Sequence, residues 1–250
     1  MIAKQYLISF LTFSSKTRSF SIASTFNSRM TQSNEDKSKA FWDKMADGYF
    51  KQKIKDEESY KTKLELTRSY FNSQTKVLEY GCGSGSTALL HAPYVNHILA
   101  TDISPRMIDI AKKQALEKKV GNVDFECVSI GGIDIPKQSK DVVLGLSILH
   151  LIKNRKEIMG KTYEWLKPGG RFVTSTVCIN DMTIGPIFKI IVPIGQFFGL
   201  VPPVYALSRD VLVEEMKSTG FEIEKEWRPL KKNGEPDKSA ALFLIMKKPE

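Results

Sequence analysis

The sequence concentrates its chemistry-bearing residues in one short stretch, residues 76–90, which reads KVLEYGCGSGSTALL. Gly81, Gly83 and Gly85 follow an apolar run, and an acid, Glu79, stands two residues before the first glycine. Glycines at this spacing let the backbone turn sharply and let a ligand approach without meeting a side chain. The stretch therefore predicts a loop that cradles a small charged molecule.

Three classes of ligand compete for such a loop. A P-loop requires a Lys directly after its last glycine, and none stands there, so the phosphate-binding reading fails. A dinucleotide site prefers G-x-G-x-x-G beneath a pyrophosphate, whereas the spacing here is G-x-G-x-G, one residue shorter. Glu79 would repel a pyrophosphate but not a positively charged sulfonium with an amino-acid tail. The acid therefore favours S-adenosylmethionine over NAD.

A second acid, Asp102, ends the predicted strand HILATD, about twenty residues after the glycine loop. That distance is what one strand–helix–strand unit requires. A carboxylate at this position can accept both hydroxyls of a ribose, as it does in dinucleotide folds. Either acid alone could be a solvated strand end, but the two acids together with the glycines favour a nucleoside-containing ligand.

The elements that must position these residues alternate along the chain from Glu35 onward. Apolar residues at helical spacing predict two helices before the first strand. Seven predicted strands then follow, most of them alternating with amphipathic helices, and no helix is predicted between the last two. This pattern predicts an α/β fold with a doubly wound, mostly parallel sheet and helices on both faces. Because no helix separates the last two strands, one strand near the C-terminus should be antiparallel.

Four segments resemble the successive motifs of the class I S-adenosylmethionine-dependent methyltransferases: VLEYGCGSG, ATDISPRMIDIAKK, DVVLGLSILHLI and LKPGGRFV. The likeness runs from about Phe41 to the end of the chain. It is greatest to the small-molecule branch that includes the ubiquinone and menaquinone enzymes. The resemblance implies a Rossmann-like seven-stranded sheet and S-adenosylmethionine as the cofactor.

The same resemblance implies roles for residues at matching positions. The acid and the glycines of the first motif would line the methionine and ribose, the second-strand acid would hold the ribose, and two apolar residues would flank the adenine. The family often has G-D-A after the third strand, where this chain has CVSI, so Ser129 or backbone groups would contact the adenine there. The implied cofactor residues are Tyr49, Glu79, Gly81, Gly83, Gly85, Asp102, Ile103, Met107, Ser129 and Ile130.

The acceptor side offers one candidate catalytic residue, His150, at the end of the fourth strand. Methyl transfer is an in-line displacement, and it needs a base only when the acceptor must lose a proton. His150 could serve as that base for a phenol or hydroxyl. The alternative is a buried histidine that only fixes the following loop.

The kind of acceptor is indicated by two segments. The fourth strand ends in LSILHL, without the N/D-P-P-Y/F motif of enzymes that methylate exocyclic amino groups, and no Pro-Cys pair is present. Both absences argue against a nucleic-acid base. Residues 184–206 are apolar but interrupted by prolines and Lys189, which predicts a lid and not a transmembrane span. The lid favours a hydrophobic acceptor, such as a quinone, a lipid or an aromatic metabolite, and also allows peripheral membrane contact.

Two rival functions remain open at this point. A protein or RNA methyltransferase would share the cofactor site but take a macromolecular acceptor. A non-catalytic binding module would share the fold, although such a module has no need of the two acids and the glycines. The net charge of +9 permits an acidic partner without demanding one.

Residues 1–34 differ in composition from the rest of the chain. They contain no acid and are rich in Ser, Phe and basic residues, which is typical of a mitochondrial transit peptide. A disordered tail on a cytoplasmic protein and a secretory signal are the alternatives. Residues 35–250 then form one methyltransferase domain. With three cysteines and three histidines widely spaced, we expect no disulfide framework and no metal site.

Overall fold

The computed structural model describes residues 33–182, 192–196, 199–231 and 233–250, and their strands form a seven-stranded sheet. The strand order is β3-β2-β1-β4-β5-β7-β6. The strands are β1 (Lys76–Tyr80), β2 (His97–Asp102), β3 (Val123–Cys127), β4 (Lys140–Leu146), β5 (Leu166–Thr176), β6 (Glu222–Trp227) and β7 (Leu242–Lys247).

Helices cover both faces of this sheet. α2, α3 and α4 pack on one face, α5 and α6 pack on the other, and α1 lies against α4. The helices are α1 (Asn34–Phe50), α2 (Glu57–Arg68), α3 (Ser86–His91), α4 (Pro105–Glu117), α5 (Arg155–Trp165) and α6 (Arg209–Ser218).

The direction of the strands confirms the predicted fold. β1 is parallel to both β2 and β4, β2 is parallel to β3, and β4 is parallel to β5. β7 alone runs antiparallel to its two neighbours, β5 and β6. The strand order reverses between β1 and β4. In open α/β sheets such a reversal opens a crevice at the carboxyl ends of the strands, where ligands bind.

The alternation of side chains along β1 assigns the two faces. Leu78 and Tyr80 belong to the core beneath α5 and α6, whereas Val77 belongs to the core beneath α2, α3 and α4. Glu79 therefore points to the same face as Val77, because successive side chains in a strand alternate. An acidic residue in the interior of the sheet thus lies under α2 and α3.

The sequence predicts N-caps at Ser104 and Ser208 and a C-terminal stop at Gly220, and the helix ends confirm these predictions. The Ser104 hydroxyl accepts a hydrogen bond from the backbone N–H of Met107 at 3.1 Å, and Pro105 occupies the first turn of α4. The Ser208 hydroxyl caps α6 in the same way. Gly220 follows α6 with a φ of 103°, a conformation that glycine adopts readily.

The fifth strand begins earlier than the sequence predicts. In the sequence, Pro168 and the two glycines of KPGG predict the end of α5 ahead of a strand that begins at Arg171, but β5 already starts at Leu166. Lys140 pairs with Leu166 and Val142 pairs with Arg171, so extra residues on β5 are accommodated by a shift in register. Such a bulge lets a strand contain residues that cannot form regular ladder hydrogen bonds, among them proline.

Two predicted segments lie partly outside the described residues. Of the predicted transit peptide, only residues 33 and 34 are described, and the predicted lid is described at residues 192–196 and 199–206. Within the described part of the chain, no helix is both long enough and apolar enough to cross a membrane.

Candidate active site

The glycine loop between β1 and α3 has a backbone that only glycine adopts without strain. Gly81, Gly83 and Gly85 have φ values of +67°, +56° and +76°. A Cβ atom on Gly85 would lie 2.6 Å from a ring carbon of Phe125, whereas a Cβ atom on Gly83 would meet no atom within 4 Å. Gly85 is therefore needed for packing α3 against the sheet, and Gly83 presents bare backbone to open space.

Asp102 joins the end of β2 to this loop. Its Oδ2 accepts a hydrogen bond from the Gly83 N–H at 2.8 Å, and its Oδ1 accepts one from the Ser104 N–H at 2.9 Å. Burial raises the pKa of Asp102, while these backbone N–H groups act in the opposite direction. Each carboxylate oxygen retains a lone pair after these bonds, so Asp102 can still accept hydrogen bonds from a ligand.

Glu79 is a buried acid on β1, next to the glycine loop. Its side chain is 3% exposed, and no described residue forms a hydrogen bond with its Oε2. Burial, and then the negative charge of Asp102, raise the pKa of Glu79 to about 8. A buried carboxylate of this kind is costly unless a positive or hydrogen-bonding partner satisfies it. A cationic ligand beside the glycine loop would provide that partner.

The two N-terminal helices, α1 and α2, pack beside these acids and contact α4 and α3. The Asp43 carboxylate on α1 accepts hydrogen bonds from the Ser104 hydroxyl and the Arg106 N–H, which fixes α1 to the start of α4. On α2, the Tyr60 hydroxyl lies 3.0 Å from the Thr87 hydroxyl of α3. Tyr49 remains 43% exposed, yet desolvation by the surrounding chain, and then the charge of Asp102, raise its pKa. Tyr49 therefore lies close enough to Asp102 to feel its charge, and its contact with the cofactor stays a prediction.

The expected adenine residues occupy different environments. Met107 is 1% exposed and packs with Ala46 between α1 and α4. Ile103 is partly exposed at the end of β2. Ser129 and Ile130 are partly exposed after β3, and Ile130 also packs against the core. The fold brings all four to the same edge of the sheet as Asp102, but Met107 already has a packing role, and the adenine contacts stay predictions.

The other half of this edge lies at the ends of β4 and β5. Ser147 has a φ of +59°, and its N–H donates a hydrogen bond to the Ser175 carbonyl at 2.7 Å. His150 is 1% exposed, and neither of its ring nitrogens has a partner among the described residues. Burial lowers the pKa of His150 to about 4. The Tyr205 N–H donates to the His150 carbonyl at 2.8 Å, so part of the predicted lid lies directly on this residue.

Three residues near the site were not found from the sequence: Asp43, Tyr60 and Lys63. Tyr60 is one of the apolar residues whose helical spacing predicts α2, and that spacing by itself indicates only core packing. Lys63 follows it by three residues on the same helix face, so a lysine within that apolar face was the available signal. Asp43 gave no comparable signal, because its partner Ser104 lies far away in sequence.

The remaining side chains that could do chemistry are the cysteines and any cluster of residues able to bind a metal ion. Cys82, Cys127 and Cys178 are all free thiols, and burial raises the pKa of Cys178 to about 12. A thiol with a raised pKa is a poor nucleophile. Within the described residues, no cluster of three or more His, Cys, Asp or Glu side chains could hold a metal ion.

The geometry fits S-adenosylmethionine. The glycine loop offers bare backbone at Gly83, Oε2 of Glu79 has no hydrogen-bond partner among the described residues, and Asp102 has acceptor capacity at the adjacent strand end. These features suit a nucleoside cofactor and lie at the topological switch point of a Rossmann-like sheet. The fold and the site therefore place the chain in the class of α/β cofactor-binding proteins.

Comparison with known families narrows this class. The sequence model of the family described as "Methyltransferase domain" matches residues 71–234, well over half of the chain. The chain therefore belongs to this family and contains a class I S-adenosylmethionine-dependent methyltransferase domain.

Individual relatives match over part of their length. An arsenite methyltransferase of Halobacterium salinarum is 31% identical over 104 residues, which cover 40% of this chain and 27% of the relative. The mitochondrial ubiquinone biosynthesis O-methyltransferase of Schizosaccharomyces pombe is 29% identical over 144 residues, covering 54% of this chain and 52% of the relative. The chain thus spans about half or less of the length of these two proteins.

A solved structure confirms the similarity of fold. The phosphoethanolamine N-methyltransferase 2 of Haemonchus contortus, in complex with phosphomonomethylethanolamine and S-adenosylhomocysteine, superposes with a TM-score of 0.62. The sequence identity is 18%, and the match covers 76% of this chain and 53% of that protein. At this level of identity the similarity concerns the fold alone.

Proposed function

We propose that this protein transfers a methyl group from S-adenosylmethionine to a small, largely apolar acceptor. The observation that carries the proposal is the buried, unpartnered carboxylate of Glu79 beside the bare backbone of Gly83. In an interaction module that did not bind this cofactor, the burial of Glu79 would lower stability, and no ligand contact would offset the loss.

The proposed roles of the cofactor and of the residues around it follow from the geometry. When bound, S-adenosylmethionine supplies an electrophilic methyl group whose departure leaves a neutral sulfide. Glu79 would hold the positively charged amino-acid end, and Asp102 would hold the ribose hydroxyls. Much of the rate of an in-line displacement comes from holding the reactants in line at roughly 3–3.5 Å. The chain's main contribution would therefore be to position the reactants and to exclude water.

Support for an apolar acceptor comes from the residues that follow β5. Val177, Ile179 and Met182 form a buried apolar cluster, against which Val192 and Val204 of the predicted lid pack. This cluster lies at the same edge of the sheet as the glycine loop. The names of the relatives include arsenite, a ubiquinone precursor pathway and phosphoethanolamine, so they favour a small molecule without selecting one.

We further propose that His150 is the candidate base when the acceptor is a hydroxyl. Burial keeps its imidazole neutral above pH 4, which a base requires, but the low pKa also makes it a weak base. A purely structural histidine would tolerate replacement by an isostere. His150→Gln should therefore lower kcat with little change in cofactor affinity, and unchanged kcat would remove His150 from the mechanism.

The function is tested with the full chain, S-adenosylmethionine carrying a labelled methyl group, and extract of the source organism. We expect label in the solvent-extractable fraction, and we expect Asp102→Ala to abolish it. Label in protein or RNA would replace the small-molecule proposal with a macromolecular one. Absence of both label and S-adenosylhomocysteine binding would leave a module that does not use the cofactor.

We propose mitochondrial import as the location, based on the acid-free composition of residues 1–34. The test is the distribution of a C-terminal fluorescent fusion with and without these residues. Loss of mitochondrial signal on their removal is expected. A diffuse signal from both fusions would favour a cytoplasmic protein.

A further inference from the structure

We call the carboxyl ends of β4, β5 and β6 the acceptor half of the site, and the ends of β1 and β2 the cofactor half. A lysine lies within the acceptor half and has no ionic partner among the described residues. Lys63 on α2 donates a hydrogen bond from Nζ to the Ser175 hydroxyl at 3.0 Å. Its Nζ also lies 5.9 Å from the centre of the Trp227 ring. Ser175 is near the carboxyl end of β5, and Trp227 is the last residue of β6. Both strands run in the same direction as β1, so Lys63 lies at the edge that carries the glycine loop.

The position of Lys63 relative to the cofactor half follows from α2. Tyr60, three residues earlier on the same helix face, contacts Thr87 at the start of α3 and lies near Glu79. Tyr60 thus faces β1 and α3, while Lys63 faces β5. The Ser147 N–H at the end of β4 holds the Ser175 backbone. The Lys63 amine is therefore placed beside the crevice between β1 and β4, on the side away from Asp102.

No acid neutralises this amine. Among the described residues, no carboxylate forms an ion pair with Lys63, and the remaining residues of the sequence contain no Asp or Glu. The nearest charge that influences it is Asp56, whose side chain already caps α2. Burial lowers the pKa of Lys63 to about 8, so the amine is still mostly protonated at neutral pH. A partly buried ammonium of this kind is satisfied when a ligand brings a negative charge.

We propose that Lys63, Ser175 and Trp227 form an anion-binding subsite, and that the acceptor carries a carboxylate beside its apolar part. The proposal rests on the proposed methyltransferase function and names the class of its substrate. One ammonium and one hydroxyl match the single charge of a carboxylate, whereas a doubly charged phosphate would remain partly unneutralised. The Trp227 ring offers a flat apolar surface for the part of the acceptor next to the carboxylate.

The direct test uses two probes of nearly the same shape, the anion 4-heptyloxybenzoate and the neutral amide 4-heptyloxybenzamide. Each is titrated into the full-length protein saturated with S-adenosylhomocysteine, and binding is measured by calorimetry. We expect the acid to bind about 10- to 100-fold more tightly than the amide, the range for a charge-assisted hydrogen bond. Lys63→Met should remove this preference while S-adenosylhomocysteine affinity changes less than twofold. Lys61→Met, an exposed neighbour on α2, is the matched control and should keep the preference.

A second readout separates binding from a structural role of the lysine. Competitive acetylation, followed by mass spectrometry across a pH series, measures the pKa of Lys63 itself. The acid probe should raise that pKa toward the ordinary lysine value, because an adjacent anion favours the ammonium, and the amide should not. Equal affinity for the two probes, an unchanged pKa with the acid, or a preference that survives in Lys63→Met would each overturn the proposal.

The failure of the subsite is distinguishable from failure of the function. In the extract experiment, the labelled product should be retained by an anion exchanger at neutral pH. A labelled product found only in the unretained fraction would overturn the acidic acceptor and leave the methyltransferase intact. Absence of S-adenosylhomocysteine binding by the wild-type protein would instead refute the proposed function, and the subsite with it.

Discussion

The two halves of the carboxyl edge are built in different ways. In the cofactor half, the ends of β1 and β2 supply a contiguous glycine loop and an acid that is hydrogen-bonded to backbone N–H groups. In the acceptor half, residues from α2, β4, β5 and β6 meet across long stretches of sequence. A site that binds one fixed ligand can be encoded locally. A site whose ligand varies among relatives depends on side chains that the fold brings together.

The comparison predicts that the largest effect on stability lies in the cofactor half. Gly85→Ala would place a methyl group 2.6 Å from the Phe125 ring at a positive φ, which combines overpacking with backbone strain. We expect a loss of about 3 kcal/mol in the free energy of unfolding, measured by urea denaturation.

Gly83→Ala is the matched control, because it shares the positive φ but meets no atom within 4 Å. It should cost only about 1 kcal/mol of stability, the strain alone, and should weaken S-adenosylhomocysteine binding because the methyl group occupies ligand space. Equal stability losses in the two variants would show that packing does not distinguish these glycines.

The next effect concerns Glu79, where binding and stability should change in opposite directions. Glu79→Gln should weaken S-adenosylmethionine binding about 10- to 100-fold at pH 9, because a charge-assisted contact is lost. The same change should raise the free energy of unfolding at pH 9 by about 1 to 2 kcal/mol, because no charge remains buried there. Calorimetric binding and thermal unfolding at matched pH measure both.

The pH dependence follows from the raised pKa of Glu79. Because the folded value of about 8 exceeds the ordinary 4.5, the folded protein holds a proton that the unfolded chain has released. The resulting stabilisation is complete below pH 4.5 and is lost as the pH rises through 8. Cofactor affinity should rise over the upper part of that range, as the carboxylate ionises. An affinity that does not change between pH 7 and pH 9 would argue against a cationic partner for Glu79.

A third prediction compares a buried histidine from each half. Burial lowers the pKa of His91 on α3 to about 3 and that of His150 to about 4. Both folded values lie below the ordinary 6.5, so the stabilisation is present above pH 6.5 and is lost as the pH falls through the folded values. Thermal unfolding at pH 7 and pH 5 should show a loss of about 2 kcal/mol for each histidine.

The two histidines should differ only in function. His91→Leu and His150→Leu should each reduce the acid sensitivity of the wild-type protein by a similar amount. Only His150→Leu should reduce turnover of an acceptor that loses a proton. If His91→Leu lowered turnover as much, the acceptor half would not be distinguished by its histidine.

The smallest expected effect is at Ser147, which has a φ of +59° at the end of β4. Ser147→Gly should relieve the strain and stabilise the protein by about 0.5 to 1 kcal/mol, while lowering kcat because the loop at the acceptor becomes less rigid. Gln138→Gly, at a φ of +51° outside the site, is the control and should stabilise without affecting kcat. A gain in kcat for Ser147→Gly would contradict a positioning role for this strain.

Local sequence was sufficient for the strands, the caps and the glycine loop. The N-caps Ser104 and Ser208 depend on atoms a few residues away, and the period of apolar residues depends on which face of an element is buried. Such short-range interactions are readable without a fold. The prediction from local sequence fails at Leu166. The start of β5 is decided by pairing with Lys140, which is distant in sequence, and not by the glycines nearby.

The sequence by itself determined the fold class and the antiparallel strand. It also predicted a cofactor site at Glu79, Gly83 and Asp102, because the chemistry of that site lies in neighbouring backbone and strand ends. Only the tertiary structure decided that Oε2 of Glu79 has no hydrogen-bond partner among the described residues and that Lys63 reaches Ser175 and Trp227. Whether a charge is paired depends on every element that packs around it. That is a property of the folded protein, because residues distant in sequence come into contact only when the hydrophobic core forms.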